Sequence, residues 1–89
     1  MDHKGLILLA DDEADIREII GYNLTRDGYK VIEAADCNQA IAMATQHAPD
    51  LIILDVMMPY KTGTEVCQQL RTLPAFKQTI IVLLTALTD

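Results

Sequence analysis

The feature that most constrains the fold is a set of short apolar runs separated by stretches with helical periodicity. Continuous apolar runs indicate strands that are buried on both faces of a sheet, because a half-exposed strand would alternate apolar and polar residues. The run of residues 6–10 is of this kind, residues 51–54 and 80–84 form two further apolar strands, and residues 30–34 form a more polar strand suited to a sheet edge. Strands and helices alternate along the chain, which predicts a parallel sheet with right-handed crossovers.

Three helices are predicted from apolar residues that recur every three or four positions. The first spans residues 14–27 and is followed by Gly28, a residue suited to a left-handed C-cap. The second begins after Asp36, with Gln39 completing a capping box, and ends before Pro49. The third spans residues 63–73. The residues expected to face the core include Ile16, Ile19, Ile20, Leu24, Ala40, Ile41, Ala44, Ala48, Val66, Cys67, Leu70 and Leu73.

Composition limits the classes of function. The chain has 89 residues, 51% of them hydrophobic, which suits one small packed domain. Its formal net charge of −6 argues against binding DNA or RNA through phosphates, which needs clustered Lys and Arg. No apolar run is long enough to cross a membrane. Cys37 and Cys67 fit neither a disulfide framework nor a zinc motif, so free thiols and a cytoplasmic location are expected.

Carboxylates follow two of the buried strands. Asp11 and Asp12 come directly after the first strand and Asp55 after the third, so all three should meet at the carboxyl edge of the sheet. Such a cluster needs a cation or protons, and oxygen-only ligation suits Mg²⁺ or Mn²⁺. Thr85 ends the fourth strand at the same edge. Taken singly, such an Asp is often only a helix N-cap and such a Thr a β-former; together they favour a site.

Three blocks of sequence resemble the receiver domain of response regulators. They are Leu-Ile-Leu-Leu-Ala-Asp-Asp-Glu, Leu-Ile-Ile-Leu-Asp-Val-Met-Met-Pro and Ile-Ile-Val-Leu-Leu-Thr-Ala, in that order and with family-like separations. The combination is specific, whereas any one block alone would be weak. The resemblance implies a flavodoxin-like, doubly wound α/β fold. Its parallel sheet would have strand order 2-1-3-4, with the family's usual fifth strand and last two helices absent.

The resemblance also implies roles for individual residues. Asp55 would accept a phosphoryl group from a phosphohistidine on a histidine kinase or phosphotransfer protein. Asp12 would ligate Mg²⁺ (or Mn²⁺) directly and Asp11 mostly through water, together with Asp55 and the backbone carbonyl of Met57. Thr85 would be the switch hydroxyl that turns toward the phosphoryl group and so regulates an output domain or target.

Kinase docking on the exposed side of the first helix would implicate Ala14, Ile16 and Arg17, although an Ile there could equally face the core. The chain is therefore classed as a signalling switch rather than an enzyme, one that assists its own phosphoryl transfer and dephosphorylation.

The chain departs from the family pattern at its end. Receivers continue into a fifth strand that ends in a Lys facing the phosphoacceptor, and none of the 89 residues supplies it; Lys61 lies in the wrong loop. Residues 1–89 are accordingly expected to be a receiver domain lacking its C-terminal third. The open, apolar edge of the fourth strand predicts a homo-oligomer or a partly molten chain.

Two other functions stay open at this point. One is a receiver-like interaction or oligomerisation fragment that is not phosphorylated, which the missing Lys favours. The other is a Mg²⁺-dependent phosphohydrolase with an aspartyl-phosphate intermediate. Enzymes of that class typically have a second Asp two residues after the nucleophile, where this chain has Met57. The phosphohydrolase is therefore the weaker candidate.

Overall fold

A computed structural model describes residues 4–58 and 61–84 of the chain. Four strands, three α-helices and one 3₁₀ turn alternate along it. They are β1 (Leu6–Ala10), α1 (Ala14–Arg26), β2 (Lys30–Ala34), α2 (Cys37–His47), β3 (Leu51–Asp55), α3 (Gly63–Arg71), the 3₁₀ turn (Pro74–Phe76) and β4 (Ile80–Leu84). No helix in these two stretches is long and apolar enough to cross a membrane.

All four strands pair in parallel, in the order β2-β1-β3-β4. This confirms the predicted order 2-1-3-4 and the edge position of β2. The register places Ala10 beside Leu54 and Asp55 beside Leu84, so β1, β3 and β4 end at nearly the same level. The loops after these strands therefore open along a single edge of the sheet.

The main core lies between the sheet and the layer formed by α2 and α3. Most strand side chains that point to this face are buried, as are the helix residues that meet them, while Ile32, Ile41 and Ile81 pack against this core and are partly buried. The fully buried large side chains in this layer are Leu8, Ile52, Leu54, Val66, Leu70 and Cys37. Ile7 and Leu9 are buried on the opposite face, which α1 covers beside β1 and β2.

The end of α1 confirms the predicted glycine cap. Gly28 has a φ of 102°, a left-handed conformation that costs glycine little. Its N–H donates to the Thr25 carbonyl at 3.0 Å and the Tyr29 N–H donates to the Leu24 carbonyl at 3.1 Å, the two bonds of a Schellman motif. The prediction that Ile19 faces the core is wrong: its side chain is 59% exposed, because α1 packs on the sheet through its other residues.

Both ends of α2 differ in detail from the prediction. Asp36 caps the helix by accepting from the Gln39 N–H at 2.8 Å, but the Gln39 side chain accepts from the Ala35 N–H rather than closing a box on Asp36. Ala48 lies beyond the helix end, exposed and left-handed with a φ of 48°, instead of facing the core. The following proline disfavours helical backbone at Ala48, and the helix ends at His47.

The third helix is shorter than predicted. It ends at Arg71, and Leu73 is 38% exposed rather than packed inward. Phe76, on the 3₁₀ turn that begins at Pro74, is buried in the core instead. The Arg71 guanidinium donates to the Phe76 carbonyl at 2.6 Å and so holds this turn against the end of α3.

Gly63 allows the start of α3 to approach the end of β3. Its N–H donates to the Val56 carbonyl at 2.9 Å, and a methyl group at this position would collide with the backbone carbonyl of Asp55. Backbone cannot yield as the end of a flexible side chain can. A glycine is therefore required where the loop folds over Asp55.

Substituting Gly63→Ala should lower the free energy of unfolding by about 1–3 kcal/mol, as overpacking does in general. The matched control is Gly21→Ala in α1, where a methyl group would meet Glu33 and Val31 at ordinary contact distances of 3.6 and 3.9 Å. There the higher helix propensity of Ala should add stability, by about 0.5–1 kcal/mol. Urea unfolding followed by circular dichroism measures both, and equal effects at the two glycines would contradict this account.

Candidate functional site: three carboxylates at the sheet edge

Asp11 is held by its main chain and its side chain together. Its N–H donates to the Ala34 carbonyl at 3.1 Å, which extends the pairing of β1 and β2 by one residue. Its carboxylate accepts from the Glu13 N–H at 2.8 Å, and the side chain is buried. The side chain of Asp12, the next residue, is exposed to solvent. One loop thus presents a fixed carboxylate and an accessible one.

Asp55 is the last residue of β3 and is half-buried. The Val56 N–H donates to the Leu84 carbonyl at 2.9 Å, so β4 supports the backbone directly after it. The Met57 N–H donates to Asp55 Oδ1 at 3.1 Å and fixes the orientation of the carboxylate. The Met57 side chain itself is 69% exposed. A carboxylate on a strand with two paired neighbours has little freedom to move away.

The predicted cluster is present: Asp11, Asp12 and Asp55 each offer a carboxylate oxygen, and these oxygens lie within 4.8 Å of one another. Burial, opposed in part by the hydrogen bond from Met57, raises the pKa of Asp55, and the negative charges of Asp11 and Asp12 raise it further. The arrangement thus concentrates negative charge at a point where the fold prevents the groups from separating.

A small divalent cation fits this donor set. Within residues 4–58 and 61–84 the ion pair that forms joins Arg17 to Glu33, and none joins a cationic side chain to the three carboxylates. Lys61, the nearby lysine in sequence, donates to the Gln69 side chain at 2.6 Å. Ligation by carboxylate oxygens alone suits Mg²⁺ or Mn²⁺ better than zinc.

Thr85, the predicted switch residue, lies outside the described residues. The strand that leads to it ends at Leu84, which pairs with Asp55. The structure therefore brings together Asp11, Asp12 and Asp55, and the roles of Thr85 and of the Met57 carbonyl stay predictions.

Sequence reasoning missed the part that Arg17 plays beside this site, because the family resemblance suggests it only as a surface contact for a kinase. In the structure its guanidinium donates to the backbone carbonyl of Asp11 at 2.6 Å and to Glu33 at 3.1 Å. One signal in the sequence could have found it: an arginine in the first turns of a helix opposes the helix dipole and so needs another reason to be there.

The model of the response regulator receiver domain matches residues 7–89. The chain belongs to the response regulator receiver family. These domains are the phosphoacceptor modules of two-component signalling, and the family accounts for an acidic cluster at this edge of the sheet.

Curated relatives are longer than this chain. It is 52% identical over 65 residues to the alkaline phosphatase synthesis transcriptional regulatory protein PhoP of Bacillus subtilis, covering 73% of this chain and 27% of that protein. It is 40% identical over all 89 residues to the probable transcriptional regulator ycf27 of Guillardia theta, covering 34% of that protein. The chain thus spans about a third of the length of these curated relatives.

Solved structures agree in fold. The chemotaxis response regulator CheY4 of Vibrio cholerae superposes with a TM-score of 0.89 at 38% identity, over 94% of this chain and 70% of that one. The response regulator TrrA of Thermotoga maritima, solved in complex with Mg²⁺ and BeF, gives a TM-score of 0.86 at 36% identity, over 93% and 70%. The predicted receiver fold is confirmed.

The raised pKa of Asp55 sets a pH dependence for the metal-free protein. An acid with a raised pKa in the folded state costs nothing below its ordinary pKa near 4 and opposes folding once it ionises. Asp55→Asn keeps an oxygen that accepts from Met57 but removes the charge. It should therefore raise Tm at pH 7, and the gain should fade toward pH 4.

Thermal unfolding in the presence of a chelator measures this difference. The control is Glu18→Gln, which removes one negative charge from an exposed position in the middle of α1. A gain at Asp55→Asn that is independent of pH, or equal to that of the control, would contradict the charge repulsion described here.

Proposed function

We propose that this chain is the phosphorylated switch of a two-component protein and that Asp55 takes the phosphoryl group from a phosphohistidine on a histidine kinase or phosphotransfer protein. The observation that supports this most is the position of Asp55. It ends a buried strand, its carboxylate is oriented by the Met57 N–H, and two further carboxylates lie beside it. Kinase docking on the exposed side of α1 belongs to the same proposal.

In the proposed reaction a carboxylate oxygen of Asp55 attacks phosphorus in line with the phosphorus–nitrogen bond of the donor. An acyl phosphate forms on Asp55, the phosphorus–nitrogen bond breaks, and the histidine imidazole leaves with the bonding electron pair. Because Oδ1 accepts the hydrogen bond from Met57, we assign the attack to Oδ2. The pairing of β3 with both of its neighbours keeps the nucleophile in place throughout.

Asp11, Asp12, Asp55 and the Met57 carbonyl are the groups proposed to hold Mg²⁺, with Mn²⁺ as a substitute. When bound, such an ion neutralises charge on the transferring group. Asp11 Oδ1 already accepts from the Glu13 N–H, which supports Asp11 acting mainly through water and the exposed Asp12 ligating directly. The TrrA structure, solved in complex with Mg²⁺ and BeF, supports Mg²⁺ as the cation of this proposal.

The residue proposed to transmit the phosphorylation signal follows β4 in the sequence. We propose that Thr85 turns toward the phosphoryl group, since it follows the strand whose last residue pairs with Asp55. The receiver would also assist its own dephosphorylation. Since the curated relatives named above are called transcriptional regulators, the regulated output is proposed to be transcription, exerted by a part of the protein other than this acidic segment.

We propose that residues 1–89 belong to a single receiver domain; they cover 70% of the chains of the solved neighbours CheY4 and TrrA. The location is the cytoplasm, since Cys37 and Cys67 are free thiols, which a reducing compartment maintains.

Incubation with acetyl phosphate and Mg²⁺, followed by intact mass measurement, tests the proposal. The chain should gain the mass of one phosphoryl group, and Asp55→Asn or omission of the cation should abolish the gain. Asp27→Asn is the matched control, because Asp27 is an exposed aspartate at the far end of α1. An adduct that survives Asp55→Asn would contradict the assignment. A folded chain without any adduct would favour the alternative, an interaction fragment that is not phosphorylated.

We further propose that the 89-residue chain, taken by itself, associates with a second copy through β4. This strand is the last in the sheet among the described residues, and Ile80 and Val82 on it are 60% and 40% exposed. An apolar groove lined by Leu24, Ile53 and Val82 adjoins it. An unpaired apolar strand edge is a template for pairing with another chain.

Light scattering coupled to size exclusion tests the association. The chain should elute as a dimer or larger species, and Ile80→Lys should shift it toward monomer because a charged edge resists pairing. Ile19→Lys is the matched control, since Ile19 is 59% exposed but lies on α1, away from the edge. A monodisperse, cooperatively folding monomer of the unaltered chain would overturn this part of the proposal.

A further inference from the structure

We propose that Arg17 is a positioning residue for the acidic site: it holds the backbone of Asp11 so that the carboxylates of that loop keep their geometry when a divalent cation binds. The inference rests on the proposed function, because it assumes that the cluster binds a cation. It assigns to Arg17 a role inside the protein that does not involve contact with phosphate or metal.

The contacts of Arg17 tie three elements together. The residue lies in the first turns of α1, and its guanidinium reaches back to the Asp11 carbonyl at 2.6 Å. Its Nε donates to the carboxylate of Glu33 on β2 at 3.1 Å. Because the two acceptors bind different nitrogens of one planar group, the guanidinium acts as a fork between the loop and the neighbouring strand.

With Arg17 in place, Asp11 is anchored at each of its polar groups. The N–H donates to Ala34, the carboxylate accepts from Glu13, and the carbonyl accepts from Arg17. If Arg17 is removed, the Asp11 carbonyl loses its hydrogen bond, and the peptide group that joins Asp11 to Asp12 is held less firmly. Asp12 is the exposed carboxylate of the cluster, so its placement depends most on the loop backbone.

A purely surface ion pair does not explain this arrangement. The Arg17 side chain is 18% exposed, against 48% for Glu33, and its position near the helix N-terminus is electrostatically unfavourable. Exposed ion pairs contribute little to stability. The short bond to a backbone carbonyl beside the cluster distinguishes Arg17 from Arg26 on the same helix, whose guanidinium donates to the Asn23 side chain and lies over Tyr22.

Charge and positioning predict opposite signs for the loss of Arg17. A positive charge near a cation site repels the cation, so removing it should tighten binding if charge alone mattered. If Arg17 acts through position, removing it should weaken binding, and Lys should not restore the loss because one ammonium cannot reproduce the fork. The sign of the change in affinity therefore separates the two roles.

The test measures Mn²⁺ affinity by electron paramagnetic resonance for the unaltered chain, Arg17→Gln, Arg17→Lys and the control Arg26→Gln. Circular dichroism first establishes that each is folded. We expect both Arg17 variants to bind about tenfold more weakly, as loss of an outer positioning contact typically gives. Arg26→Gln should stay close to the unaltered chain. Unchanged or tighter binding by Arg17→Gln would overturn the inference.

A second readout needs no metal. In the metal-free protein, hydrogen exchange at the Glu13 N–H, which donates to the Asp11 carboxylate, should be faster in Arg17→Gln but not in Arg26→Gln. If the unaltered chain binds no Mn²⁺ while this amide loosens as expected, the proposed function fails and the positioning contact stands. If Mn²⁺ binds and is lost in Asp12→Asn but neither readout responds to Arg17, the inference fails and the proposed function stands.

Discussion

The repulsion among three carboxylates at the edge of a parallel sheet is the constraint on which the rest of this structure depends. Backbone pairing fixes the ends of β1 and β3, so Asp11 and Asp55 cannot move apart without breaking that pairing, and Asp12 follows Asp11 directly in the loop. The fold thus maintains an electrostatically unfavourable cluster, which a cation and a phosphoryl group would complete. Gly63 serves the same end by letting the loop close over Asp55.

Much of the fold is predictable because the strands of a parallel sheet are apolar throughout. The runs beginning at Leu6, Leu51 and Ile80 have no polar interruption, a pattern typical of the strands of a parallel sheet. Because the loops after parallel strands share one edge of an open α/β sheet, residue order alone is enough to bring Asp11 and Asp55 together. The sequence pattern is therefore enough to predict the strands and the edge at which their loops meet.

The predictions from sequence fail where tertiary packing or the local backbone determines whether a residue is buried. Ile19 has helical spacing, yet spacing does not tell which flank of a helix meets the sheet, and the residue is exposed. Ala48 is left-handed and lies outside α2, because the proline that follows it disfavours helical backbone. Phe76 is buried in the core where Leu73 was expected, because the 3₁₀ turn at Pro74 changes the direction of the chain. The contact of Arg17 with the Asp11 carbonyl is missed because a backbone acceptor has no residue type of its own, and only the unfavourable place of an arginine near a helix N-terminus points to it.

The central claim is that Asp55, and not its acidic neighbours, receives the phosphoryl group. The direct measurement is to reduce the phosphorylated chain with borohydride, which converts an aspartyl phosphate to homoserine, and to map tryptic peptides. The account predicts homoserine at Asp55 in the peptide of residues 31–61. Homoserine in the peptide of residues 5–17, which contains Asp11 and Asp12, would contradict it.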